Sequence, residues 1–391
     1  MNAPPPTRGT VVVLGFYVWY PLAGVAMQFL QYLIGLRQLG FDVYYVETAH
    51  NYVFDPKTND RSPDYHTNAA TAAALLDSHG FGDRWSFRAL YDDEDTTYGM
   101  SNAAVRELLL HADALLNVTG WHVLDEDHLR CPRRLYVETD PFSSQVDVAN
   151  GNEEVIAALS AHSHFFSFGE NIGASDCIVP KGRFDWQPTR QPILLNLWEH
   201  DAPPGREYTT ITTWQNDNKH RTFRGEDYYW TKNLEFEKVL DVPMRCDVPF
   251  QMATSVDQQT ERRLNSFGWE YVDAMRLSTS VGAYQHYIQH SRAEFTVARD
   301  QYVRPRTGWF SDRSASYLAS GRPVITQDTA FGKFLPTGRG LFAFRTADDV
   351  LAAVDAIESD YEGHCAAAIE IAREYFAADK VLESMMSRAG L

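Results

Sequence analysis

Short apolar runs alternate with amphipathic helical stripes along most of the chain. Residues 10–16 (TVVVLGF) form a continuous, largely β-branched run, which is typical of a strand buried on both faces. A turn through Pro21 and Gly24 follows, and apolar residues then recur at helical spacing over residues 25–36, before Gly40. Residues 41–46 (FDVYYV) predict a second strand. This βαβ order predicts a parallel sheet with right-handed crossovers.

The alternation continues to the end of the chain and falls into two sets. The first set predicts helices over residues 69–78, 101–111 and 152–161, and strands over 114–119, 134–139 and 164–168. Proline-rich polar stretches at 185–192 and 201–205 predict a linker, and polar stretches at 51–64 and 91–99 predict loops. The second set predicts strands over 208–214, 294–298, 323–326 and 341–344, and helices over 229–240, 258–266, 281–290, 311–319, 348–357, 362–376 and 379–388.

Two such sets joined by one linker predict two doubly wound α/β domains. We place an N-terminal domain at residues 1–190, a C-terminal domain at 191–370 and a last helix at 371–391. A ligand is expected in the cleft between the domains, at the carboxyl ends of the strands.

The amino-acid composition limits the classes of molecule that the protein is expected to bind. The chain has 391 residues, of which 44% are hydrophobic and 13% aromatic, as in globular proteins of two or three domains. Its 35 Lys and Arg and 52 Asp and Glu give a net charge of −17, which argues against nucleic acid or an anionic membrane as the main partner. Any phosphate site in this chain must therefore be local.

The cysteines and the chain termini indicate the compartment. Four widely spaced cysteines, without CxxC or CxxH spacing, predict reduced thiols rather than a zinc framework or a disulfide scaffold. The sequence MNAPPPTRG lacks the order of a signal peptide, and no run of about 18 apolar residues is present. We expect a cytoplasmic protein without a membrane span. The oligomeric state stays open, with a homodimer as one alternative.

The region from residue 300 to residue 340 carries the strongest chemical signal. Arg304, Arg306 and Arg313 surround a loop that opens a helix at Ser311 and Asp312. Free N–H groups at a helix start, together with guanidinium groups, form a good site for a pyrophosphate. The alternative is that these arginines lie on the surface and pair with some of the many carboxylates.

A polar loop follows the predicted strand 323–326. A carboxylate and backbone amides at the end of a strand can hydrogen-bond to sugar hydroxyls, and the alternative is a turn in which the aspartate caps locally. The residues of this loop that we predict to contact a ligand are Asp328, Thr329, Phe331 and Gly332.

A resemblance to a known family rests on three short stretches and the two helices that follow them. The stretches are residues 319–325 (ASGRPVI), 328–332 (DTAFG) and 338–341 (GRGL), and the closing helix pair covers residues 362–388. Over about 90 residues this order resembles the nucleotide-sugar half of GT-B-fold glycosyltransferases. The resemblance implies two Rossmann-type domains facing across a cleft, with the C-terminal helix crossing back to the N-terminal domain. The chain departs from the family because Ser316 and Gly308 stand where retaining members usually carry glutamates.

The resemblance implies transfer of a sugar from a nucleoside-diphosphate sugar to a small, natural-product-like acceptor. The leaving diphosphate would be held by basic side chains and a helix N-terminus rather than by a metal, and no cofactor is expected besides the donor. No DxD-type metal pair is evident, and the acidic run at residues 92–95 predicts a solvated loop. Arg221 and Lys232, after the first strand of the second set, are further diphosphate candidates, and Tyr302 or Trp309 is a candidate for stacking on the base.

An inverting transfer needs a general base on the N-terminal side. His122, just past a predicted strand, is the first candidate, and Glu138 and Asp140, which end the next strand, are its rivals. A structural histidine is the alternative interpretation of His122. Glu47 and His50 also end a strand. The acceptor candidates are Tyr17, Trp19, Gly24 and Glu170.

Two other functions compete with transfer. A sugar-nucleotide epimerase can share this fold, and loss of both family glutamates also fits a transferase-like accessory subunit without activity. A nicotinamide dehydrogenase is disfavoured because no GxGxxG follows Phe16.

Overall fold

The computed structural model describes residues 7–91 and 95–391, so the acidic residues 92–94 and the segment 1–6 lie outside the described residues. Its N-terminal domain contains ten strands and five helices within those ranges. In chain order the strands are β1 (Thr10–Leu14), β2 (Asp42–Ala49), β3 (Val53–Asp55), β4 (Asp60–Ser62), β5 (Trp85–Ala89), β6 (Thr96–Gly99), β7 (Ala114–Val118), β8 (Arg134–Glu138), β9 (His164–Ser167) and β10 (Trp186–Pro188). The helices are α1 (Ala23–Gln38), α2 (His66–Ser78), α3 (Asn102–His111), α4 (Ser143–Ala149) and α5 (Glu153–Ser160).

Eight of these strands form one sheet in the order β10-β9-β8-β7-β1-β2-β5-β6. All neighbours are parallel except β5 and β6, which pair antiparallel. The strand order reverses between β1 and β7, so the chain leaves these two strands in opposite directions and opens a crevice at their carboxyl ends. Strand β1 is buried over Val11–Leu14, as expected for a strand covered on both faces.

The C-terminal domain has the same architecture. Its strands are β11 (Tyr208–Ile211), β12 (Arg221–Phe223), β13 (Glu226–Tyr228), β14 (Phe250–Thr254), β15 (Trp269–Asp273), β16 (Ala293–Thr296), β17 (Val324–Gln327) and β18 (Leu341–Phe344). Its helices are α6 (Asn233–Phe236), α7 (Gln258–Ser266), α8 (Ala274–Ser278), α9 (Val281–Gln289), α10 (Asp300–Val303), α11 (Asp312–Ala319), α12 (Ala347–Ser359), α13 (Tyr361–Tyr375) and α14 (Ala378–Arg388).

Six strands form an all-parallel sheet in the order β15-β14-β11-β16-β17-β18, the strand order of a Rossmann domain. The reversal lies between β11 and β16 and opens a second crevice. The hairpin β12–β13 stands outside this sheet.

The last helix returns to the N-terminal domain. Leu382, Met385 and Met386 of α14 belong to the same buried cluster as β1 and α1. Close packing is possible because Gly35 of α1 has no side chain, and a Cβ there would lie 2.5 Å from Leu382 Cδ1. The described fold therefore confirms two Rossmann-type domains with a helix crossing back, while the exact boundaries at residues 190 and 370 stay a prediction.

Several elements differ from the sequence-based expectation. The predicted loops contain β3, β4 and β6, and the predicted linker contains β10. Two strands, β14 and β15, were not expected, and β15 (WEYVD) lies at the edge of the sheet. The expected helix over residues 229–240 is reduced to α6 and a 3-10 turn, since its first residues follow the hairpin. No helix in the described ranges is long and apolar enough to cross a membrane.

Candidate active site

The carboxyl ends of β11 and β16 hold Arg313, which lies in the first turn of α11. Its guanidinium donates to Glu294 Oε1 at 2.6 Å. It also donates to the Ile211 carbonyl oxygen at 2.6 Å and to Thr296 Oγ1 at 2.9 Å. Glu294 is fully buried, so the ion pair is enclosed by protein. Arg313 is therefore held firmly at the base of the second crevice.

Lys232, directly before α6, is the second cation of this crevice, and only 7% of its surface is exposed. Among residues 7–91 and 95–391 its ammonium group has neither a hydrogen-bond acceptor nor an ion-pair partner. Burial, with the nearby guanidinium groups of Arg313 and Arg299, lowers the pKa of the Lys232 ammonium well below its usual value, and the carboxylates of Glu294 and Asp312 act in the opposite direction without forming an ion pair with it. An anion would complete this environment, because buried charges are normally paired.

Arg299, which follows β16, connects the crevice to the N-terminal domain. Its guanidinium lies 3.8 Å over the Trp230 ring and donates to the Tyr302 hydroxyl at 2.9 Å. Asp140 of the N-terminal domain accepts from Arg299 at 3.3 Å and from the same Tyr302 hydroxyl. Asp140, a predicted base, thus faces the C-terminal domain and is balanced by Arg299. Tyr302 itself is fully buried and stacks on Trp309, with ring centroids 4.4 Å apart.

Ser311 and Asp312 stand at the start of α11. The Ser311 side chain makes no capping hydrogen bond, whereas Asp312 Oδ1 accepts from the Arg313 backbone N–H at 2.8 Å. Burial raises the pKa of the Asp312 carboxyl. Because a carboxylate already occupies this helix end, the positive charge of the crevice comes from the side chains around it.

The other predicted arginines pair with carboxylates. The pairs are Arg304 with Asp300 and Glu226, Arg306 with Asp176 and Asp328, and Arg221 with Asp147. Of the four predicted arginines, Arg313 is the one that contacts the ends of β11 and β16 directly. The structure thus brings Arg313, Asp312 and Lys232 together and places the other three arginines elsewhere.

A separate cavity of about 390 Å³ lies at the carboxyl ends of β17 and β18. Arg306, Asp328 and Gly332 line it, with Lys333 and Arg345. Its cations already have carboxylate partners, since Asp328 pairs with Arg345 at 2.7 Å and Asp176 pairs with both Lys333 and Arg306. The remaining predicted residues of that loop are buried beside it, Thr329 against the Trp309 carbonyl and Phe331 against Phe310.

The first crevice, at β1 and β7, encloses a carboxylate instead of a cation. Glu47 of β2 is fully buried and accepts from the Val18 N–H at 2.8 Å and the Trp19 N–H at 2.6 Å. The Tyr45 hydroxyl donates to Glu47 at 2.6 Å and accepts from the Tyr17 N–H at 2.8 Å. Burial raises the pKa of the Glu47 carboxyl to about 7. The amides after β1, where a dinucleotide-binding fold receives phosphate, are thus taken by the protein's own side chains.

His122, past the end of β7, is buried in the same crevice. Its Nε2 donates to the Gly15 carbonyl oxygen at 2.7 Å, which leaves Nδ1 as the unprotonated nitrogen. No described residue hydrogen-bonds to Nδ1. Burial lowers the pKa of His122 to about 4, so the imidazole is neutral at pH 7.

Phe16, Trp19 and Trp121 form a group that we call the aromatic shelf. The Trp19 and Trp121 ring centroids lie 4.1 Å apart, and those of Phe16 and Trp121 lie 5.5 Å apart. The shelf adjoins His122, and Trp121 remains 39% exposed. A strained turn presents Trp121, because Thr119 has φ 69° and a Cβ on Gly120 would lie 2.3 Å from Tyr136.

The remaining N-terminal residues that we predicted to bind the acceptor or to act as the base already contact other groups of the protein. Tyr17 is buried, and Gly24 lies in the first turn of α1 against Tyr284. Glu170 forms a bidentate ion pair with Arg190, in which Nε donates to Oε1 at 2.7 Å and Nη2 donates to Oε2 at 2.8 Å. Glu138 is buried, accepts from Gln145 and Ser167, and has its pKa raised to about 7 by burial.

Sequence reasoning missed Arg299 as a site residue and gave Glu47 no structural role. The signal for Arg299 was its position directly after the strand that precedes the predicted phosphate loop. The signal for Glu47 was an acidic residue in an otherwise apolar strand. Within the described ranges no group of His, Cys, Asp and Glu is arranged to hold a metal ion.

Comparison with known proteins gives structural matches only. No family model matches the sequence, and no curated protein sequence matches it. An alpha-glucosyltransferase in complex with UDP-glucose and abasic-site DNA matches with a TM-score of 0.60 at 8% identity, covering 98% of this chain and 100% of that chain. HepE of Anabaena in complex with UDP-glucose matches with a TM-score of 0.54 at 10% identity, with coverage of 98% and 100%. AviGT4, a glycosyltransferase involved in avilamycin A biosynthesis, matches with a TM-score of 0.53 at 10% identity, covering 98% and 97%.

These matches extend over both domains and the returning helix. At such low identity they establish the fold alone, and the fold is that of the GT-B glycosyltransferases.

Proposed function

We propose that this protein transfers a sugar from a nucleoside-diphosphate sugar to a small-molecule acceptor. The observation that carries the proposal is that the buried Lys232, near Arg299 and Arg313, has no ion-pair partner among the residues that the structure describes. It lies at the strand-order reversal of a Rossmann domain, where this type of sheet binds nucleotides. A diphosphate would supply the missing anion.

The three cations would also serve the chemistry. As the bond between the sugar and the diphosphate breaks, negative charge develops on the leaving oxygen. Lys232 and Arg313, already desolvated and already oriented, would stabilise that charge without a metal ion. Arg299 would add a third positive charge, and its contact with Asp140 links the donor side to the acceptor side.

The acceptor would lie in the first crevice, against the aromatic shelf. In an inverting transfer, Nδ1 of the neutral His122 would take the proton of the acceptor hydroxyl. One structural match is to a complex that contains DNA. The net charge of −17 and the aromatic shelf of this crevice instead favour a small, neutral acceptor.

A thermal-shift panel of UDP, GDP, ADP and dTDP tests the proposal, because a ligand of the native state raises the melting temperature. We expect at least one diphosphate to raise the melting temperature of the wild type and to have no such effect on Lys232→Met. Lys380→Met, which removes an exposed lysine paired with Glu374, is the matched control and should respond like the wild type. The same proteins are then assayed for release of diphosphate from the matching sugar donor across a panel of hydroxylated acceptors and single-stranded DNA. Absence of a shift with every diphosphate, or transfer to DNA alone, would contradict the proposal.

A further inference from the structure

The hairpin β12–β13 leaves its own domain and packs on the N-terminal one. Arg224 and Gly225 form its tight turn, both with positive φ (53° and 80°). Phe223 and Tyr228, one from each strand, join a buried cluster with Phe142 beside α4. The Phe142 and Tyr228 ring centroids lie 4.7 Å apart. The hairpin therefore bridges the two domains through an apolar contact.

An ion pair attaches the first strand of the hairpin to α4. Arg221 Nε lies 2.7 Å from Asp147 Oδ1, and Nη2 donates to Oδ2 at 2.9 Å. The Asp147 side chain is 15% exposed and that of Arg221 is 29% exposed, so solvent screens the pair only in part. Asn150 adds a hydrogen bond to the Thr222 carbonyl oxygen at 3.1 Å. One hydrogen bond and one ion-pair contact of the Arg221 guanidinium therefore hold the first strand of the hairpin against α4.

The second strand of the hairpin leads directly into the cation crevice. The Tyr228 carbonyl oxygen accepts from Gln301 at 3.0 Å, and the Tyr229 N–H donates to Asp300 at 2.9 Å. Trp230 then lies under the Arg299 guanidinium. Lys232 follows two residues later. The position of the unpaired ammonium thus depends on a segment whose other end is attached to the opposite domain.

We propose that this hairpin is a latch between the domains and that Asp147 and Arg221 are positioning residues for the diphosphate of the donor. The inference rests on the proposed function and gives Arg221 a role different from direct phosphate binding. With the ion pair intact, the loop holds Lys232 and Trp230 in place before the donor arrives. Without it, the ligand must order that loop on binding, and its affinity falls by the corresponding entropy.

Calorimetric titration with UDP, or with whichever diphosphate the panel identifies, tests the latch in the full-length protein. Asp147→Asn and Arg221→Met should each raise Kd by about tenfold, the size of a typical coupling between distinct sites. The double variant should bind as weakly as either single variant, within about twofold, because both substitutions remove one interaction. The control Asp348→Asn, which breaks an exposed ion pair with Arg245 inside the C-terminal domain, should leave Kd unchanged. The swapped pair Asp147→Arg with Arg221→Asp should recover most of the lost affinity.

The outcomes separate the latch from the function it serves. If the wild type binds the diphosphate and each single variant binds it as tightly as the wild type does, the latch is wrong and the proposed function stands. If Arg221→Met loses far more affinity than Asp147→Asn and the swap restores nothing, Arg221 contacts the diphosphate directly, which also overturns the latch. If the wild type binds no diphosphate, the proposed function fails and the latch fails with it. Thermal melting of each variant, with the swap included, shows whether lost affinity reflects lost folding.

Discussion

The crevice between β1 and β7 and the crevice between β11 and β16 occupy the same place in two sheets of the same core strand order, but they hold different groups. The first encloses the carboxylate of Glu47, whereas the second brings the cations Lys232 and Arg313 together with the carboxylates of Glu294 and Asp312. In the first, three backbone N–H groups after β1 are taken by Tyr45 and Glu47. In the second, Lys232 is buried without a partner among the described residues. A phosphate entering the first crevice would meet a buried carboxylate, whereas one entering the second would meet a cation that lacks an anion.

This contrast explains how the same strand order can provide two different binding environments in one chain. A Rossmann crevice binds phosphate through its amides only while those amides are free. Glu47 removes that option and turns the loop after β1 into a support for the aromatic shelf. In the C-terminal domain the same strand order pairs Arg313 with Glu294 and Arg299 with Asp140, and leaves Lys232 without an ion-pair partner among the described residues. We expect the nucleotide on the C-terminal side and a neutral acceptor on the N-terminal side.

The largest expected effect comes from breaking the buried ion pair of the second crevice. Arg313→Met leaves the fully buried Glu294 without its partner, and we expect a loss of about 3–5 kcal/mol in the free energy of unfolding. Arg245→Met, which breaks a more exposed pair with Asp348, should cost less than about 1 kcal/mol. Urea unfolding of the three proteins measures the difference. Equal losses for both variants would show that Glu294 does not depend on Arg313.

The next effect concerns the carboxylate of the first crevice and depends on pH. The folded-state pKa of Glu47, about 7, lies above the ordinary value of 4.5, so its contribution to stability is present below pH 4.5 and is lost as pH rises through 7. Between pH 4.5 and 8 the free energy of unfolding should therefore fall less in Glu47→Gln than in the wild type, by on the order of 3 kcal/mol. Unfolding free energies measured across that interval test the prediction. Glu138→Gln is the matched comparison, because burial raises that pKa to about 7 as well but outside the loop after β1.

An unchanged pH dependence in Glu47→Gln would mean that the Glu47 carboxyl titrates in the folded protein as it does in the unfolded chain, so that burial does not raise its pKa. The loop after β1 would then not enclose this carboxyl as the contrast between the two crevices requires.

The smallest expected effect on stability belongs to the aromatic shelf. Trp121→Ala removes a partly exposed ring and should change the free energy of unfolding by less than about 1.5 kcal/mol. It should raise the KM for the acceptor by about three- to tenfold, as expected for loss of a stacking contact, and leave the Kd of the diphosphate unchanged. Leu110→Ala, an exposed apolar residue of α3, is the control for both measurements. A loss of diphosphate affinity in Trp121→Ala would place the nucleotide in the first crevice instead.

The sequence was sufficient for the architecture wherever burial is complete. The continuous apolar run of β1 and the helical spacing of α1 were recognised because the strand is buried on both faces and the helix is buried around most of its circumference. The hairpin β12–β13 was missed because its short strands are stabilised by the opposite domain rather than by their own pattern. Its Arg-Gly turn, with two positive φ angles, was the available signal.

The candidate site was predictable only in part, for electrostatic reasons. Lys232, Asp312 and Arg313 were identified from their places after a strand and at a helix start, and the structure brings them together. Arg304 and Arg306 look the same in sequence, but a chain with 52 acidic residues can neutralise a cation from distant positions, as Asp176 does for Arg306. Which cation remains unpaired is decided by the tertiary structure.

The most direct test of the central claim is calorimetry of diphosphate binding to the wild type and to Lys232→Met at a series of neutral to alkaline pH values, in buffers of different ionisation enthalpy. An anion placed against Lys232 raises the lowered pKa of its ammonium, so binding should be accompanied by proton uptake in the pH range in which Lys232 of the free protein titrates. We expect the wild type to bind with such uptake, and Lys232→Met to bind at least about tenfold more weakly without it. Equal affinity and equal proton uptake in the two proteins would contradict the claim that Lys232 is the anion-binding group of the second crevice.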